Sequence, residues 1–332
     1  MDGILARLRE DAAAAAWLDA LDGLDSSSTG LDSPGTGFEA DELAELLLDL
    51  TVPHEDVTPL LAAGRTLLAD PEWRRLVARC AAGFLADPRT VGGGFGPPRL
   101  PEGFGAPGRC LPVFAFLAAL PRARAHHREL GVPAEVSRRT FADLGRQLTV
   151  HRLRYGTTGL DTPGWLRLHL RGELFQLGRL QFQRSRLAAD WLPTAGAPSL
   201  SLHIPDFLGP LTPAACEDSL ARARAFFPRH FPAEPHTVVH CESWLLDRQL
   251  AEHLAAGSNI LAFQRRFHPA APPTDPEDAT PVRYVFGRAD LPPAELPRRT
   301  ALERAVGDHL RAGGHWYGGR GWFALEDVAR GR

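Results

Sequence analysis

The stretch His236 to Trp244 (HTVVHCESW) gathers two histidines, a cysteine, a glutamate and a serine into nine residues. Read as a β-strand, it sends successive side chains to opposite faces. His240, Glu242 and Trp244 then share one face and Val239, Cys241 and Ser243 the other. Glu242 is the first candidate for a general base, acting through a water, because a partly buried carboxylate can be tuned toward neutral pH. His203, on the short segment Leu200 to Ile204, is the second, since an imidazole titrates near physiological pH without tuning. Each has a structural alternative: Glu242 in an ion pair with an arginine such as Arg179, and His203 as a hydrogen-bonded sheet residue. Cys241 beside His240 suggests a Cys/His dyad, and with it a thioesterase. Adjacent strand residues face opposite ways, however, so an inert buried thiol is the better reading of Cys241.

A second group of residues could hold a ligand. The loop through Gly209, Pro210 and Leu211 opens a helix at Thr212, with Thr212 as N-cap and Pro213 at the first helical position. Backbone N–H groups left without helical partners, beside a helix dipole, suit a pyrophosphate. The alternative is a plain strand-to-helix turn. Ser258 and Asn259 follow Gly257 inside a helical pattern, where small polar residues are unexpected unless they cap, pack or bind. Glu173, Gln176, Gln181 and Gln183, with Arg179, would bring polar groups to a hairpin and line a substrate side, or form the wet face of a sheet. His315, Trp316 and Tyr317, amid glycines, would close a pocket or cover a core edge.

Composition excludes several other chemistries. All 37 basic side chains are arginine, so Schiff-base catalysis on lysine and a Walker-type phosphate lysine are both ruled out. The segment Gly92 to Gly96 therefore reads as a linker or lid. The thirteen histidines make no HExxH and no metal spacing with carboxylates. The formal net charge of −3 leaves no electrostatic footprint for nucleic acid. Four scattered cysteines without a C-x-x-C pair read as free thiols in a reducing compartment. No apolar run reaches the ~20 residues of a bilayer span, and the N-terminus has the wrong pattern for a signal peptide. A cytoplasmic protein without membrane or nucleic-acid partners is expected.

At 332 residues, two domains are the natural expectation. The first half reads as helices over Ile4–Leu21, Phe38–Leu50, Thr58–Leu68, Pro71–Leu85 (with Asp70 as N-cap), Cys110–Leu130 and Val136–Tyr155, with polar breaks at Ser26–Gly37 and around Gly92–Pro107. After Gly156 the pattern changes. Trp165–Leu170 alternates strictly and reads as a strand, turning at Arg171–Gly172 into a return strand over Leu174–Arg184. Strands follow at Leu200–Ile204, His236–Trp244 and Val282–Phe286. Helices are expected over Thr212–Phe227, Asp247–Phe267 and Leu296–Leu310. The fold class is α+β or mixed α/β: a helical domain over 1–150, then a mixed sheet flanked by helices over 151–332.

Four segments carry a family resemblance: Leu174–Gln183 (LFQLGRLQFQ), Leu202–Thr212 (LHIPDFLGPLT), Cys241–Asp247 (CESWLLD) and Ser258–Phe267 (SNILAFQRRF). The helical stretch Ala142–Arg146 (ADLGR) fits as well. With the order of elements, they resemble the bacterial two-domain acyltransferases of the GNAT superfamily, in which a helical N-terminal domain precedes a GNAT-like domain. Gly209-Pro210-Leu211-Thr212 stands where the superfamily carries Arg/Gln-x-x-Gly-x-Gly/Ala. The resemblance implies a coenzyme A thioester as co-substrate, or the phosphopantetheine of an acyl carrier protein, and no metal. Two central strands would splay around the pantetheine arm. Gly209, Leu211, Thr212 and Asn259 become donor-binding candidates. Glu242 and His203 become base candidates, and Ser258 stands in for a general acid because the helix lacks the superfamily's tyrosine.

The expected activity is transfer of an acyl group from a thioester to an amine by direct attack. The amine must lose a proton, the oxyanion needs donors, and the leaving thiolate benefits from an acid. A catalytically degenerate module that binds acyl-CoA or a carrier protein is the alternative, and turnover separates the two.

Overall fold

The structure is a computed structural model and describes residues 3–22, 40–86, 97–187, 196–270 and 274–326. The segments Ser26–Gly37 and Gly92–Gly96 lie outside the described residues. The chain folds as two compact units, Met1–Glu173 and Leu174–Arg332.

The first unit is helical: α1 (Ile4–Leu8), α2 (Ala12–Asp22), α3 (Ala40–Asp49), α4 (His54–Ala69), α5 (Pro71–Leu85), α6 (Gly105–Glu129), α7 (Ala134–Phe141), α8 (Asp143–Tyr155) and α9 (Pro163–Leu170). Local chemistry sets the best-anticipated start. Asp70 Oδ1 accepts from the backbone N–H of Glu72 (2.8 Å) and Trp73 (3.2 Å), and Pro71 occupies the first turn of α5. Around α6 the core closes on all sides: every residue from Cys110 to Leu117 is buried. By length and composition, Glu102–Glu129 is long and apolar enough to cross a membrane, contrary to the sequence expectation. In the fold, 67% of its most apolar window is buried, and these side chains make the core of the unit.

Two buried carboxylates tie this unit together. Asp56 accepts from Arg152 Nη2 (2.6 Å) and Thr158 Oγ1 (2.7 Å), joining α4 to α8 and the turn beyond it. Asp143 Oδ2 accepts from Trp165 Nε1 (2.6 Å) and lies 3.1 Å from His169 Nε2, joining α8 to α9. Gly145 lets α8 run against the chain at Thr51, where a β-carbon would sit 2.1 Å from the Thr51 carbonyl oxygen.

The strand expected at Trp165–Leu170 is instead α9. A six-residue run fits both periods, and Pro163 at the start of the helix decides it. Leu166 and Leu170, one turn apart, are both buried.

The second unit is built on a six-stranded mixed sheet of β1 (Leu174–Leu177), β2 (Leu180–Arg186), β3 (Pro198–His203), β4 (Val238–Ser243), β5 (His268–Pro269) and β6 (Gly319–Ala324), in the order β1-β2-β3-β4-β6-β5. Among the described strands β3 and β4 alone pair in parallel, and the 18-residue helix α10 (Pro213–His230) supplies the crossover such a pair needs. The hairpin turn falls at Gly178–Arg179, inside the stretch read as one strand, and Gly178 adopts φ +72°. One sheet face is apolar: Phe175 and Phe182 pack against Phe226 and Phe227 of α10 with ring centroids 4.9–6.3 Å apart.

Three further readings change. The helix expected over Asp247–Phe267, preceded by a 3-10 turn (Trp244–Leu246), breaks into α11 (Leu250–His253) and α12 (Asn259–Gln264) on either side of Gly257. The strand expected at Val282–Phe286 is α13 (Ala279–Phe286), closed by Gly287 at φ +80°. The glycine-rich C-terminus, given no element from sequence, supplies β6. The last helix, α14 (Ala301–Arg311), starts in a capping box between Thr300 and Glu303.

Candidate active site

The β3–β4 ladder stops early. It pairs Ser199 with Val238, Leu200 with Val239 and Ser201 with His240, and no further. Yet β3 continues to His203 along its β2 edge, and β4 continues to Ser243 along its β6 edge. The two central strands therefore part beyond Ser201 and His240. A gap opens in the middle of the sheet, with unladdered strand edges on both sides.

Register places the polar residues together. Residues paired directly across strands point to the same face. His203 shares its face with Gln181 opposite it, and Ser201 shares that face with Gln183 and His240. Glu242 and Arg320 continue the same face on β4 and β6. The sheet thus carries an apolar face under α10 and a polar face lined by glutamine, serine and histidine, with His203 at the edge of the gap.

His203 is half-buried, and its Nε2 lies 2.9 Å from Gln183 Oε1. Glu242 has an exposed side chain and pairs with Arg320 Nη2 at 3.1 Å, not with Arg179. Burial lowers the pKa of His240 below that of an ordinary imidazole, against the opposing charge of Glu242. Cys241 faces the apolar side; burial pushes its pKa up to about 12, which keeps it a thiol.

The loop into α10 ends in a capped helix start. Gly209 adopts φ +77°, Leu211 is buried, and Thr212 Oγ1 accepts from the Ala215 N–H (3.2 Å) with Pro213 beside it. Two guanidinium groups flank this turn. Arg179, from the β1–β2 hairpin, donates through Nε to the Gly209 carbonyl (2.8 Å), while its Nη1 is buried without a partner among the described residues. Burial lowers the pKa of Arg179 from the ordinary guanidinium value. Arg266 donates through Nη2 to the Pro213 carbonyl (3.4 Å) and pairs through Nη1 with Glu217. The backbone N–H groups of Arg179 and Leu180 are held by Ser219 Oγ (2.8 and 3.2 Å), which docks the hairpin turn on α10. Sequence reading assigned neither arginine to this loop. Both arginines lie in the family-like segments Leu174–Gln183 and Ser258–Phe267, but nothing in the spacing of Arg266 points 53 residues back to Pro213.

Ser258 and Asn259 begin α12, a helix that packs against α10. Ser258 is the N-cap of α12, its Oγ accepting from the Leu261 N–H (3.3 Å), and Asn259 is the first residue of that helix. Trp316 is 1% exposed and packs with Leu250, Leu261 and Val306, so it belongs to a core rather than to a pocket wall. Among the described residues no group of three or more His, Cys, Asp or Glu side chains is placed to hold a metal ion.

Chemically, the polar face carries an imidazole where the β3–β4 ladder ends, and the turn into α10 lies beside two guanidinium groups. Comparison with known proteins places both units in families. Residues 41–172 match the N-acyltransferase N-terminal domain, and residues 174–323 match the GNAT-like C-terminal domain. No curated protein matches the chain. Among solved structures, an acyltransferase in complex with decanoyl-CoA and teicoplanin is 36% identical, with a TM-score of 0.84 over 98% of this chain and 100% of that one. An acyltransferase with CoA and 10C-teicoplanin is 35% identical, with the same TM-score and coverage. Another, with decanoyl-CoA alone, is 36% identical, with a TM-score of 0.84 over 97% of this chain and 99% of that one.

Proposed function

This chain belongs to the two-domain acyltransferases of the GNAT type and takes its acyl group from acyl-CoA, and we propose that it delivers that group to an amine of a glycopeptide of the teicoplanin kind, with His203 as general base. The early end of the β3–β4 ladder beside His203 carries this reading. In it, the pantetheine arm lies in the gap, where unladdered strand edges can bond its amides. The thioester carbonyl then comes to rest near His203. The diphosphate sits at Gly209, Leu211 and Thr212 and is clamped by Arg179 and Arg266. Asn259 remains a donor-side candidate. Ser258 is occupied as a cap, which weakens it as a general acid.

His203 is preferred to Glu242 on position. A general base must come within hydrogen-bond reach of the proton it removes. His203 stands where the gap opens, whereas Glu242 is exposed and engaged by Arg320. Gln183, by accepting from Nε2–H, would hold the imidazole in one orientation and leave the Nδ1 lone pair to take the proton from the attacking nitrogen. No covalent enzyme intermediate is involved. The amine attacks the thioester carbon directly, the tetrahedral intermediate expels the thiolate, and the amide and free CoA leave. The four free cysteines support a reducing, cytoplasmic setting.

The test is turnover of decanoyl-CoA with teicoplanin as acceptor, read as released CoA thiol and as acylated product. His203→Ala should lower kcat by about 100- to 10,000-fold with little change in CoA affinity. Glu242→Gln should stay within about threefold of the wild type. The opposite pattern would return the base to Glu242, and normal turnover in both variants would remove both.

A further inference from the structure

Gln181 is 3% exposed, and its side-chain Nε2 is buried without a hydrogen-bond partner among the described residues. A buried donor left unbonded is costly, so native folds keep such groups rarely, often where a ligand completes them. Its position is specific. Gln181 pairs directly with His203 across the β2–β3 ladder, so the two side chains leave the same face as nearest neighbours. Its neighbour on the other side, Gln176, commits its own Nε2 to the carbonyls of Gly178 (2.8 Å) and Leu180 (3.1 Å). Gln183, one residue pair along β2, is engaged with His203. Gln181 Nε2 is therefore a fully buried donor of this cluster with no hydrogen-bond partner among the described residues.

We propose that Gln181 is a catalytic residue whose Nε2–H donates to the oxygen of the acyl thioester carbonyl as it becomes an oxyanion. The inference rests on the acyl-transfer reading with His203 as base. As the amine nitrogen bonds to the carbonyl carbon, the C=O electron pair moves onto oxygen, two bonds from that nitrogen. A proton acceptor on the nitrogen and a donor on the oxygen must then stand side by side, as His203 and Gln181 do. His203 takes the proton from nitrogen. The oxyanion, held by Gln181, re-forms C=O as the C–S bond breaks, and the proton passes to the departing thiolate. A donor fixed before the reaction, in a site closed to water, stabilises the charge without having to reorganise.

The test is Gln181→Met, which keeps the length and removes the donor. Wild type, this variant and His203→Ala are compared for kcat with decanoyl-CoA and teicoplanin, for the slow hydrolysis of decanoyl-CoA alone, for CoA affinity and for Tm. Gln181→Met is expected to lose about 100-fold or more in kcat for both reactions, since both pass through an oxyanion. CoA affinity should be unchanged, and Tm unchanged or higher, because an unbonded buried amide is gone. If the Met variant fails to fold, Gln181→Glu carries the same kinetic expectation when ionised. A kcat within threefold of wild type overturns the proposal, as does a lost kcat accompanied by a fall in Tm and in CoA affinity, which would make Gln181 a structural residue bonded to Gln176. An inactive His203→Ala beside an active Gln181→Met refutes the Gln181 role alone. An active His203→Ala refutes the base assignment and leaves the Gln181 result to be read by itself.

Discussion

Arg179→Met removes one of the two guanidinium groups beside the α10 loop while keeping an unbranched side chain in its place. In the free protein Arg179 makes one side-chain hydrogen bond, Nε to the Gly209 carbonyl at 2.8 Å, and holds Nη1 buried without a partner among the described residues. Losing the first costs about 1 kcal/mol, and relieving the second returns about 1–3 kcal/mol, so the variant should be no less stable than the wild type. With the diphosphate bound, a charge-assisted hydrogen bond is worth about 1.5–3 kcal/mol. Its loss corresponds to CoA binding weakened about 10- to 150-fold. Titration calorimetry with CoA and with pantetheine, which lacks the diphosphate, separates the contributions. CoA should weaken by that factor, pantetheine should not change, and the salt dependence of CoA binding should flatten in the variant. Equal weakening of CoA and pantetheine would mean that Arg179 only props the hairpin. Unchanged CoA binding would refute the diphosphate seat at Gly209–Thr212.

Two further outcomes test the first unit. Burial lowers the pKa of His127, in the core beside Phe141, from 6.5 to about 4. Below pH 6.5 the unfolded chain takes up a proton that the folded one refuses until about pH 4, so stability falls across that window by about 3 kcal/mol from this residue; urea midpoints against pH should show this slope in the wild type and lose it in His127→Asn, and equal slopes would refute it. Gly145→Ala would put a β-carbon 2.1 Å from the Thr51 carbonyl oxygen, a backbone atom that cannot swing aside. Overpacking there should destabilise by about 2 kcal/mol or more, seen as a clear drop in Tm; an unchanged Tm would show that α8 and Thr51 do not approach so closely.

Local patterns were legible wherever the decisive interactions span a few residues. Asp70 and Pro71 mark the start of α5, Thr212 and Pro213 the start of α10, and both caps form as their side-chain chemistry demands. The helical first half and the mixed sheet of the second were likewise readable from period. Short runs were not, because six residues satisfy two periods at once. Trp165–Leu170 alternates yet folds as a helix behind Pro163, and Val282–Phe286 is β-rich in composition yet helical before Gly287.

For the site, sequence by itself determined the inventory: His203 and the four-residue turn after it, the glutamines of the hairpin, a chain whose only strong cations are arginines, and the signatures of an acyltransferase family. Which members of that inventory meet was decided by tertiary structure. Gln183 reaches His203 across 20 residues, Arg179 reaches Gly209 across 30, and Arg266 reaches Pro213 across 53. The β3–β4 ladder ends at Ser201 and His240 while β2 and β6 go on holding the outer edges of the two strands, β6 arriving from the glycine-rich end of the chain. Such contacts depend on strand register and on loops that close over long separations, and neither leaves a periodic trace in the order of the residues.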